Sequence, residues 1–475
     1  MLSIYGKPRS VCDGTTRRCI LSAGSGLFGL SLPQLLAATT VSQPQTRAKS
    51  IIFLMLFGGP SQLETFDLKP HAPEQIRGPF RPTACRTPGL LISEYLPRLA
   101  AVSDKYCVVR NFSHSFNDHS GGGHYLQTGK RWHVPIGGGF SPTPRDWPSM
   151  GAIVEYTDQQ RVGLSAELPS YMVLPNSLGA LQEKGQYPRP GEHAGWLGPR
   201  YNPLTTSIQK RDLQDNPYWR ECTDDELSFQ IADLKAPADV SDVRLQRRQS
   251  LLQQFDLQMQ SVDRSGRADG FDAFRQRAFS LMTSPRTRAA LNIRAESAEV
   301  RERYGRHLFG QSALMARRLV EAGVRVVTVA YGFWDTHGNN FGHCRAHLPT
   351  LDTGLSALIR DLYDRGLDQD VTLVVWGEFG RTPKISTIPG ASLPGRDHWG
   401  AVQTVFFAGG GVRGGNVIGA SDHLGGHPTS DPQTPENLAA TIYRALGIPS
   451  ETIWHDESRR PLTLYNGEPI RGLMG

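Results

Sequence analysis

Three short motifs in the second half of this 475-residue chain carry side chains that could bind a divalent metal ion. WDTHGNN supplies Asp335 and His337, GEFGRTP supplies Glu378, and GRDHWG supplies Asp397 and His398. Carboxylate oxygens and imidazole nitrogens suit zinc, manganese, iron or magnesium, and no cysteine stands among the candidates. We therefore predict a site for one or two divalent ions, although a carboxylate followed by Gly and Asn can also simply cap a turn.

The three motifs lie at or near the ends of predicted buried strands. Residues 324–330 and 371–376 are short apolar runs without polar alternation, which is typical of strands covered on both faces. The carboxyl ends of such strands meet at one edge of an open α/β sheet, where ligand sites are found. We therefore expect the side chains of the three motifs to converge on a common point.

A fourth segment, NFSHSFNDHSGGGHYLQTGKRWH, follows a predicted strand at residues 106–110 and contains four histidines. Asn117, Asp118 and three glycines precede His124, so we predict a Gly-rich turn that opens a short helix. A helix amino terminus presents free N–H groups, which suit an anionic ligand. His119 and His124 are the best site candidates here, although a single histidine is more often a hydrogen-bonded structural residue.

Three further residues have alternative interpretations. Arg381, shortly after the 371–376 strand, could steady an anionic substrate oxygen or lock Glu378 in a structural salt bridge. Glu64 and Asp67 lie in the loop after the first predicted strand, residues 49–59. Ordinary loop polarity, or an Asx-type turn at Asp67, explains that pair equally simply.

Predicted helices and strands alternate through the last third of the chain. The predicted helices are residues 311–322, 348–365 and 435–446, and the strands are 324–330, 371–376 and 402–408. This alternation predicts an α/β fold with a mostly parallel central sheet and helices on both faces. Residues 147–290 have a different sequence pattern, with Gly/Pro loops and a predicted amphipathic helix at 240–261. We interpret them as an inserted cap region that contributes little to the chemistry of the site.

The amino terminus has the features of an export signal, which we place at residues 1–40. Arg17 and Arg18 precede an apolar, Gly/Ala-rich run at residues 21–38 that ends in small residues. Paired arginines ahead of such a run resemble the twin-arginine type of signal, so we expect a periplasmic or extracellular protein. A buried amphipathic helix is the alternative, but the run has no polar face.

Composition argues against several other classes of protein. A hydrophobic content of 39% with 50 glycines and 33 prolines is typical of a soluble, loop-rich globular protein. After the signal, no apolar run reaches the roughly 18 residues of a membrane span. The net charge of +6 falls when the signal is removed, and gives no reason to expect a nucleic-acid partner.

Four cysteines would remain after removal of the signal, namely Cys85, Cys107, Cys222 and Cys344. Their spacing contains no CxxC and no zinc-ribbon pattern. In an oxidising compartment they could form one or two disulfides, whose pairing the sequence does not determine.

Several long motifs together resemble the DUF1501 family of exported bacterial proteins. They are FLMLFGGPSQLETFD near the start, WDTHGNN, GEFGRTP and GRDHWG, and then AGGGVRGGNVIGASD and TPENLAATIYRALGI. The resemblance covers residues 48–475, which we take as one domain. It implies a relationship to the alkaline phosphatase and sulfatase superfamily, and hence a central, mostly parallel sheet with a bimetal site at the strand ends.

The resemblance also implies roles for individual residues. Asp335 and His337 resemble the Asp/His pair of one metal site in that superfamily, and His398 resembles its late metal-binding histidine. Glu378 stands where the superfamily has an Asp that precedes a His. The helix ending in Gln-Thr-Gly at residues 127–129 resembles the one after the superfamily's nucleophile, and counting back along it leads to His119 with Ser120 beside it.

The sequence departs from the superfamily pattern in three ways. The first strand ends in Gly58-Gly59, where a metal-binding Asp is usual, and Asp67 or Glu64 could replace that ligand only by looping back. Phe379 stands where a His is common. The Cys-x-Pro-x-Arg signature is missing, so a formylglycine sulfatase is not expected. A site without these ligands would hold one metal ion, or none.

The resemblance therefore implies an exported, metal-assisted hydrolase of a phosphate or sulfate ester, on a small anion or a polysaccharide. Ser120 or a water molecule activated by the metal would be the nucleophile, with His119 and Arg381 as further catalytic candidates. The substrate contacts would come from His124, Asn117 and Asn339. The main alternative is a non-catalytic secreted binding or assembly protein with a degenerate metal site, and a metal-dependent isomerase or mutase is a third possibility.

Overall fold

A nine-stranded sheet is the centre of the part of the protein that the structure describes. This computed structural model describes residues 48–134, 141–162, 168–181, 187–208, 211–212, 215–231, 284–456 and 460–475. The predicted export signal and the predicted helix at 240–261 lie outside the described residues. Among the residues described, no helix combines the length and the hydrophobicity needed to span a bilayer.

The elements of the described residues are as follows. The strands are β1 (Ser50–Leu56), β2 (Pro82–Ala84), β3 (Leu91–Ser93), β4 (Tyr106–Phe112), β5 (Tyr171–Leu174), β6 (Leu204–Ser207), β7 (Gln230–Ile231), β8 (Val326–Tyr331), β9 (Val371–Trp376), β10 (Gly380–Arg381), β11 (His398–Trp399), β12 (Gln403–Gly409), β13 (Asn416–Ile418), β14 (Ile453–His455) and β15 (Pro461–Thr463). The α-helices are α1 (Glu74–Arg77), α2 (Pro97–Ala100), α3 (His119–Thr128), α4 (Met150–Val162), α5 (Pro285–Leu291), α6 (Ala298–Tyr304), α7 (Leu308–Glu321), α8 (Asn340–Asp364) and α9 (Pro435–Ala445).

The sheet has the strand order β13-β4-β12-β9-β1-β8-β5-β6-β7. β1 pairs in parallel with β8 on one side and with β9 on the other. β12 runs antiparallel to both of its neighbours, and β7 is antiparallel to β6. The predicted mostly parallel sheet is therefore confirmed. The alternation of elements along the chain gave no indication that the strand we predicted at 402–408 runs in the opposite direction.

The sheet is covered on both faces, as predicted. All seven residues of β1 are buried, and the six apolar ones alternate between two hydrophobic cores. Ile52 and Leu54 belong to the core that includes the apolar residues of α7 and α8. Ile51 and Phe53 belong to the core that includes those of α4 and α9. Because both faces of the strand are buried, β1 reads as a continuous apolar run.

Residues 147–290, which we predicted to be an inserted cap, contribute to the central sheet where they are described. β5 pairs with β8, and β6 and β7 extend the sheet beyond it. The described residues between Ala48 and Gly475 belong to one compact unit. The described part of this region therefore completes one edge of the sheet.

Helix α8 begins at Asn340, well before the predicted start at residue 348. A proline lacks the N–H that a helix interior needs, so Pro349 would be more favourable at the predicted start than inside the helix. The structure instead accommodates Pro349 inside the helix. Asn339, at the amino end, has a left-handed backbone with φ +54°, a conformation that Asn tolerates better than most residues.

All four described cysteines are free thiols. Cys107, Cys222 and Cys344 are buried, and Cys85 is half-buried. Burial raises the pKa of the Cys107 thiol to about 12 and that of Cys222 to about 11. The disulfides allowed by the sequence are not present in the structure.

His307 gives the protein a testable dependence on pH. Its Nδ1 accepts a hydrogen bond from the Gly310 N–H at 3.0 Å and caps α7. Burial lowers the pKa of His307 to about 4, whereas an unfolded histidine titrates near 6.5. The unfolded chain therefore binds a proton first as the pH falls from about 6.5 to 4, and this lowers the free energy of unfolding.

We expect His307→Asn to weaken this acid sensitivity. Asn keeps an oxygen that can cap the helix but does not titrate. Relative to the wild type, the variant should gain up to about 1.4 kcal/mol of unfolding free energy per pH unit below pH 6.5. Urea denaturation of both proteins across this window measures the difference. A difference that does not change with pH would show that His307 is not responsible.

Candidate metal centre

The candidate site lies at the edge of the sheet where β1, β4, β8 and β9 end. β12 reaches the same edge with its amino end because it is antiparallel, and Gln403 at its start pairs with Phe112 at the end of β4. Residues that precede β12 therefore meet residues that follow the parallel strands. This arrangement brings His398 to the loop after β8.

Three residues form the centre of the site. His119, Asp335 and His398 each offer one ligand atom, and these atoms lie within 4.8 Å of one another. Asp335 Oδ2 lies 3.3 Å from His119 Nε2, and Asp335 Oδ1 lies 3.0 Å from His398 Nε2. His337 Nε2 joins them, at 3.1 Å from Asp335 Oδ1 and 3.0 Å from His398 Nε2. We call these four residues the His/Asp cluster.

Two members of the cluster are held from behind by carboxylates. His119 Nδ1 lies 2.8 Å from Glu378 Oε1, and His337 Nδ1 lies 2.9 Å from Asp397 Oδ1. An ionised carboxylate can only accept a hydrogen bond, so Nδ1 is the donor in each ring. Each Nε2 is then directed towards Asp335. We expected Glu378 and Asp397 to be metal ligands, but the structure places each of them behind a histidine.

His398 is held in the same way by a backbone carbonyl. Its Nδ1 lies 2.8 Å from Asn117 O, which can only accept. The Asn117 side chain accepts a hydrogen bond from the Gly400 N–H at 2.6 Å and ties the two loops together. Asn117 was predicted as a substrate contact, whereas these bonds make it a support for His398. All three imidazoles therefore direct Nε2 towards the same carboxylate.

Glycines allow α3 to bring His119 to this position. The helix begins at His119, capped by Asp118, whose Oδ1 accepts from the Gly121 N–H at 2.7 Å. The predicted Gly-rich turn is thus the first part of the helix itself. A Cβ at Gly122 would lie 2.9 Å from Glu378 O, so a larger residue would push the helix away. The glycines permit close approach to the loop after β9.

Glu378 also connects the cluster to the end of β1. Its side chain is fully buried, and both of its oxygens lie 2.9 Å from the Gly58 amide nitrogen. Gly58 has φ +119°, and a Cβ there would lie 2.3 Å from the Asp335 amide nitrogen. A glycine at this position therefore lets the loops after β1 and β8 touch.

The protonation of the cluster follows from its contacts. Burial alone would raise the pKa of Asp335, but hydrogen bonds with three histidines and the charge of Arg381 hold that pKa well below its usual value. Burial would lower the pKa of His119, yet its hydrogen bonds with two carboxylates raise it to about 9. The bond with Asp335 raises the pKa of His337, while burial lowers that of His398. These contacts therefore favour an ionised Asp335 carboxylate next to a protonated His119.

Arg381 is fully buried and contacts the Asp335 carboxylate from the protein interior. One guanidinium nitrogen lies 2.7 Å from Asp335 Oδ1. The guanidinium also donates to four backbone carbonyls, those of Gly58, Gly59, Trp334 and Arg396. The sequence left open whether Arg381 would contact a substrate or Glu378. The structure places it against Asp335, with no exposed surface for a substrate.

Ser120 and His124 are both fully buried. Ser120 Oγ accepts a hydrogen bond from Arg189 Nη1 at 3.1 Å. The His124 ring lies next to Trp132, with 6.1 Å between the ring centroids, and burial lowers the pKa of His124 to about 4. The structure thus places neither predicted residue at an exposed surface that a substrate could contact.

Asp67 and Asn339 have other partners. Asp67 Oδ1 lies 3.0 Å from Lys69 Nζ, and Asp67 accepts from the Ser421 hydroxyl. The backbone N–H of Asn339 donates to Leu393 O at 3.3 Å. Among the described residues, His119, Asp335 and His398 have ligand atoms close enough together to hold one metal ion. Asp67, a predicted metal ligand, is not part of this group.

Three residues that contact members or candidates of the site were not predicted from the sequence, namely Phe379, Phe57 and Arg189. Phe379 packs against His398 and His119, with centroid distances of 4.2 and 5.2 Å. Phe57 stacks on His119 at 5.6 Å. An aromatic residue directly after Glu378 was a usable signal for this packing. Arg189 lies in a region from which we expected little chemistry, and no spacing or motif singled it out.

Comparison with known proteins decides the family. A family model described as a protein of unknown function, DUF1501, matches residues 48–474. The chain belongs to the DUF1501 family. The resemblance predicted from the sequence motifs is therefore confirmed over almost the same range. A search of curated proteins gave no match.

Solved structures similar to this DUF1501 protein include three bacterial enzymes. The lipoteichoic acid synthase LtaP from Listeria monocytogenes has 9% identity and a TM-score of 0.32, with 86% of this chain and 74% of that chain covered. The PsFucS1 sulfatase from Pseudoalteromonas sp. has 13% identity and a TM-score of 0.37, with coverages of 88% and 71%. The phosphonate monoester hydrolase SpPMH from Silicibacter pomeroyi has 13% identity and a TM-score of 0.34, with coverages of 89% and 76%. Similarity this low carries no argument about activity.

Proposed function

We propose that this DUF1501 protein is an exported hydrolase that binds a divalent metal ion at His119, Asp335 and His398 and cleaves a phosphate or sulfate ester. The support for export is the arginine pair and apolar run at the amino terminus. The support for hydrolysis is the arrangement of the His/Asp cluster together with the family's sequence motifs. The substrate we propose is an anionic ester, either a small molecule or part of a polysaccharide.

One observation carries the metal assignment. Three imidazoles are anchored through Nδ1 on oxygen acceptors and direct Nε2 at one carboxylate. Histidines that ligate metals typically donate their other ring N–H in this way. Two histidines and one carboxylate form a ligand set used by zinc, iron and manganese. The residues present therefore fit such an ion, which when bound would supply a Lewis acid for the ester oxygens.

The chain's own residues would then position and protonate the substrate. The Asp335 side chain is 41% exposed, so the cluster opens to solvent. Phe379 covers His119 and His398 on one side. Asp397 holds His337 through Nδ1, so its Nε2 faces the cluster and can carry the proton that the leaving oxygen needs. In this proposal a water molecule is the nucleophile, because the Ser120 hydroxyl is fully buried.

The alternative proposal is a secreted binding or assembly protein with a degenerate metal site. The burial of Arg381 favours this alternative, because the guanidinium that contacts Asp335 cannot also meet a substrate anion. The two proposals differ in turnover. Protein purified without chelator should contain about one zinc or manganese ion per chain by elemental analysis and should hydrolyse an aryl phosphate or aryl sulfate. Bound metal without turnover would favour the binding protein, and the absence of both would reject the hydrolase.

The choice of nucleophile gives a separate prediction. We expect Ser120→Ala to keep its metal and to retain turnover within about tenfold, because the fully buried Ser120 hydroxyl accepts a hydrogen bond from Arg189 and does not face the His/Asp cluster as a nucleophile would. Ser149→Ala, at another fully buried serine, controls for the loss of a buried hydroxyl. Steady-state kinetics with the aryl ester measures both variants. A loss of several orders of magnitude in Ser120→Ala alone would make Ser120 the nucleophile.

A further inference from the structure

We infer that His347 is a positioning residue for this site: its imidazole fixes the strained loop that carries Asp335 and His337. The expected effect on metal binding rests on the proposed function. The claim that His347 holds the loop after β8 does not. His347 lies on α8, is fully buried, and belongs to none of the sequence motifs.

The loop after β8 contains a backbone conformation that needs support. Phe333 has φ +69°, a left-handed conformation that is unfavourable for a residue with a bulky side chain. Such a conformation persists only when the surrounding structure enforces it. Asp335 follows two residues later, so any relaxation at Phe333 would move the carboxylate that the three histidines share.

His347 makes hydrogen bonds to Tyr331, at the end of β8, and to Phe333, in the loop that follows. Its Nε2 lies 3.0 Å from Phe333 O, and its Nδ1 lies 2.8 Å from the Tyr331 hydroxyl at the end of β8. A carbonyl oxygen can only accept, so Nε2 carries the proton and Nδ1 accepts from the tyrosine. Burial lowers the pKa of His347 to about 3, so the ring is neutral with this single proton.

The contact with Trp219, whose indole N–H can only donate, is compatible with a proton on His347 Nε2. The indole nitrogen of Trp219 lies 2.8 Å from His347 Nε2 and 3.1 Å from Nδ1. A donor in the ring plane that met the lone pair of one nitrogen would be much farther from the other. The Trp219 N–H therefore faces the imidazole π system, and the bond from Nε2 to Phe333 O is preserved.

The residue between Phe333 and Asp335 is held as well. The Trp334 indole stacks on the His347 ring, with 4.5 Å between the centroids and 22° between the planes. The backbone N–H of Trp334 donates to Phe57 O at 3.1 Å, directly after β1. The loop is thus held on one side by β1 and on the other by His347. These two sets of contacts determine the position of Asp335.

The experiment compares His347→Phe and His347→Gln with His307→Asn. Phe keeps the ring volume and loses both hydrogen bonds, while Gln can still donate to Phe333 O. His307→Asn is the comparison variant, a change at a buried histidine whose hydrogen bond caps α7. Two quantities are measured: zinc affinity by competition with a chelating dye, and hydrogen exchange of residues 333–338 in metal-free protein by mass spectrometry.

We expect His347→Phe to weaken zinc binding by about 10–100-fold, the usual effect of removing a residue that supports metal ligands. Exchange at residues 333–338 should be faster than in the wild type. His347→Gln should recover part of both effects, and His307→Asn should show neither. If His347→Phe does not fold, His347→Gln against His307→Asn carries the same comparison.

Two outcomes would overturn the inference. One is loop exchange in folded His347→Phe equal to that of His307→Asn, and the other is faster exchange with unchanged zinc affinity. If the wild type itself binds no zinc, the proposed function fails but the exchange data still decide whether His347 holds the loop. A thermal shift alone does not count, because any buried substitution produces one.

Discussion

Replacing Asp335 with asparagine should remove bound zinc and lower ester turnover by at least about 100-fold, more than the loss of a supporting residue causes. The carboxylate lies within 3.3 Å of three imidazole nitrogens and is held by Arg381 at 2.7 Å. Asparagine has the same shape but no charge, and it would leave Arg381 without its anionic partner. The measurements are zinc per chain by elemental analysis and turnover of the aryl ester.

Asp397→Asn is the matched control for this prediction. Asp397 contacts one histidine of the cluster, His337, at 2.9 Å, and its side chain is 44% exposed. Its replacement should cost about 10–100-fold in zinc affinity or activity. If Asp335→Asn bound zinc as tightly as the wild type, the metal would have to lie elsewhere, and the proposed function would be rejected.

Gly58→Ala should destabilise the whole protein and disrupt the site at the same time. The added Cβ would lie 2.3 Å from the Asp335 amide nitrogen and 2.6 Å from the Trp334 carbonyl carbon. These are backbone atoms, so no side-chain rotation can relieve the contact. The unfavourable φ of +119° adds to the clash. We expect the free energy of unfolding to fall by more than about 3 kcal/mol, with loss of bound zinc.

Gly89→Ala separates the backbone effect from the clash. Gly89 also has a positive φ, +79°, but a Cβ there would meet no atom within 4 Å. Its replacement should cost about 1–2 kcal/mol and leave zinc binding unchanged. Urea denaturation and elemental analysis of both variants test the prediction. Equal destabilisation of the two would contradict the close contact between the loops after β1 and β8.

The central fold could be predicted from the sequence because its strands are fully buried. The apolar runs at 49–59, 324–330 and 371–376 became β1, β8 and β9, with ends shifted by a few residues. The reversed direction of β12 could not be predicted, because a buried strand has the same apolar pattern in either direction. The start of α8 at Asn340 was not predicted, and the helix contains Pro349, a residue that is unfavourable in a helix interior.

The residues of the site could be predicted better than their roles. Asp335, His337 and His398 meet because strand ends share an edge, and His119 joins them from α3. Which member of an acid and histidine pair faces the centre depends on distances of a few ångströms, which residue types do not encode. Glu378 and Asp397 were therefore predicted as ligands, although they lie behind His119 and His337.

The placement of β12 also bears on how the chain can fold during its synthesis. Among the described strands, the sheet neighbours of β4 are β12 and β13, and both of those strands are made about 300 residues later. Until residue 409 has left the ribosome, β4 has no partner and one edge of β9 is open. Open strand edges pair readily with other chains. Nascent copies of this protein are therefore exposed to misassembly for longer than proteins whose neighbouring strands follow one another in sequence.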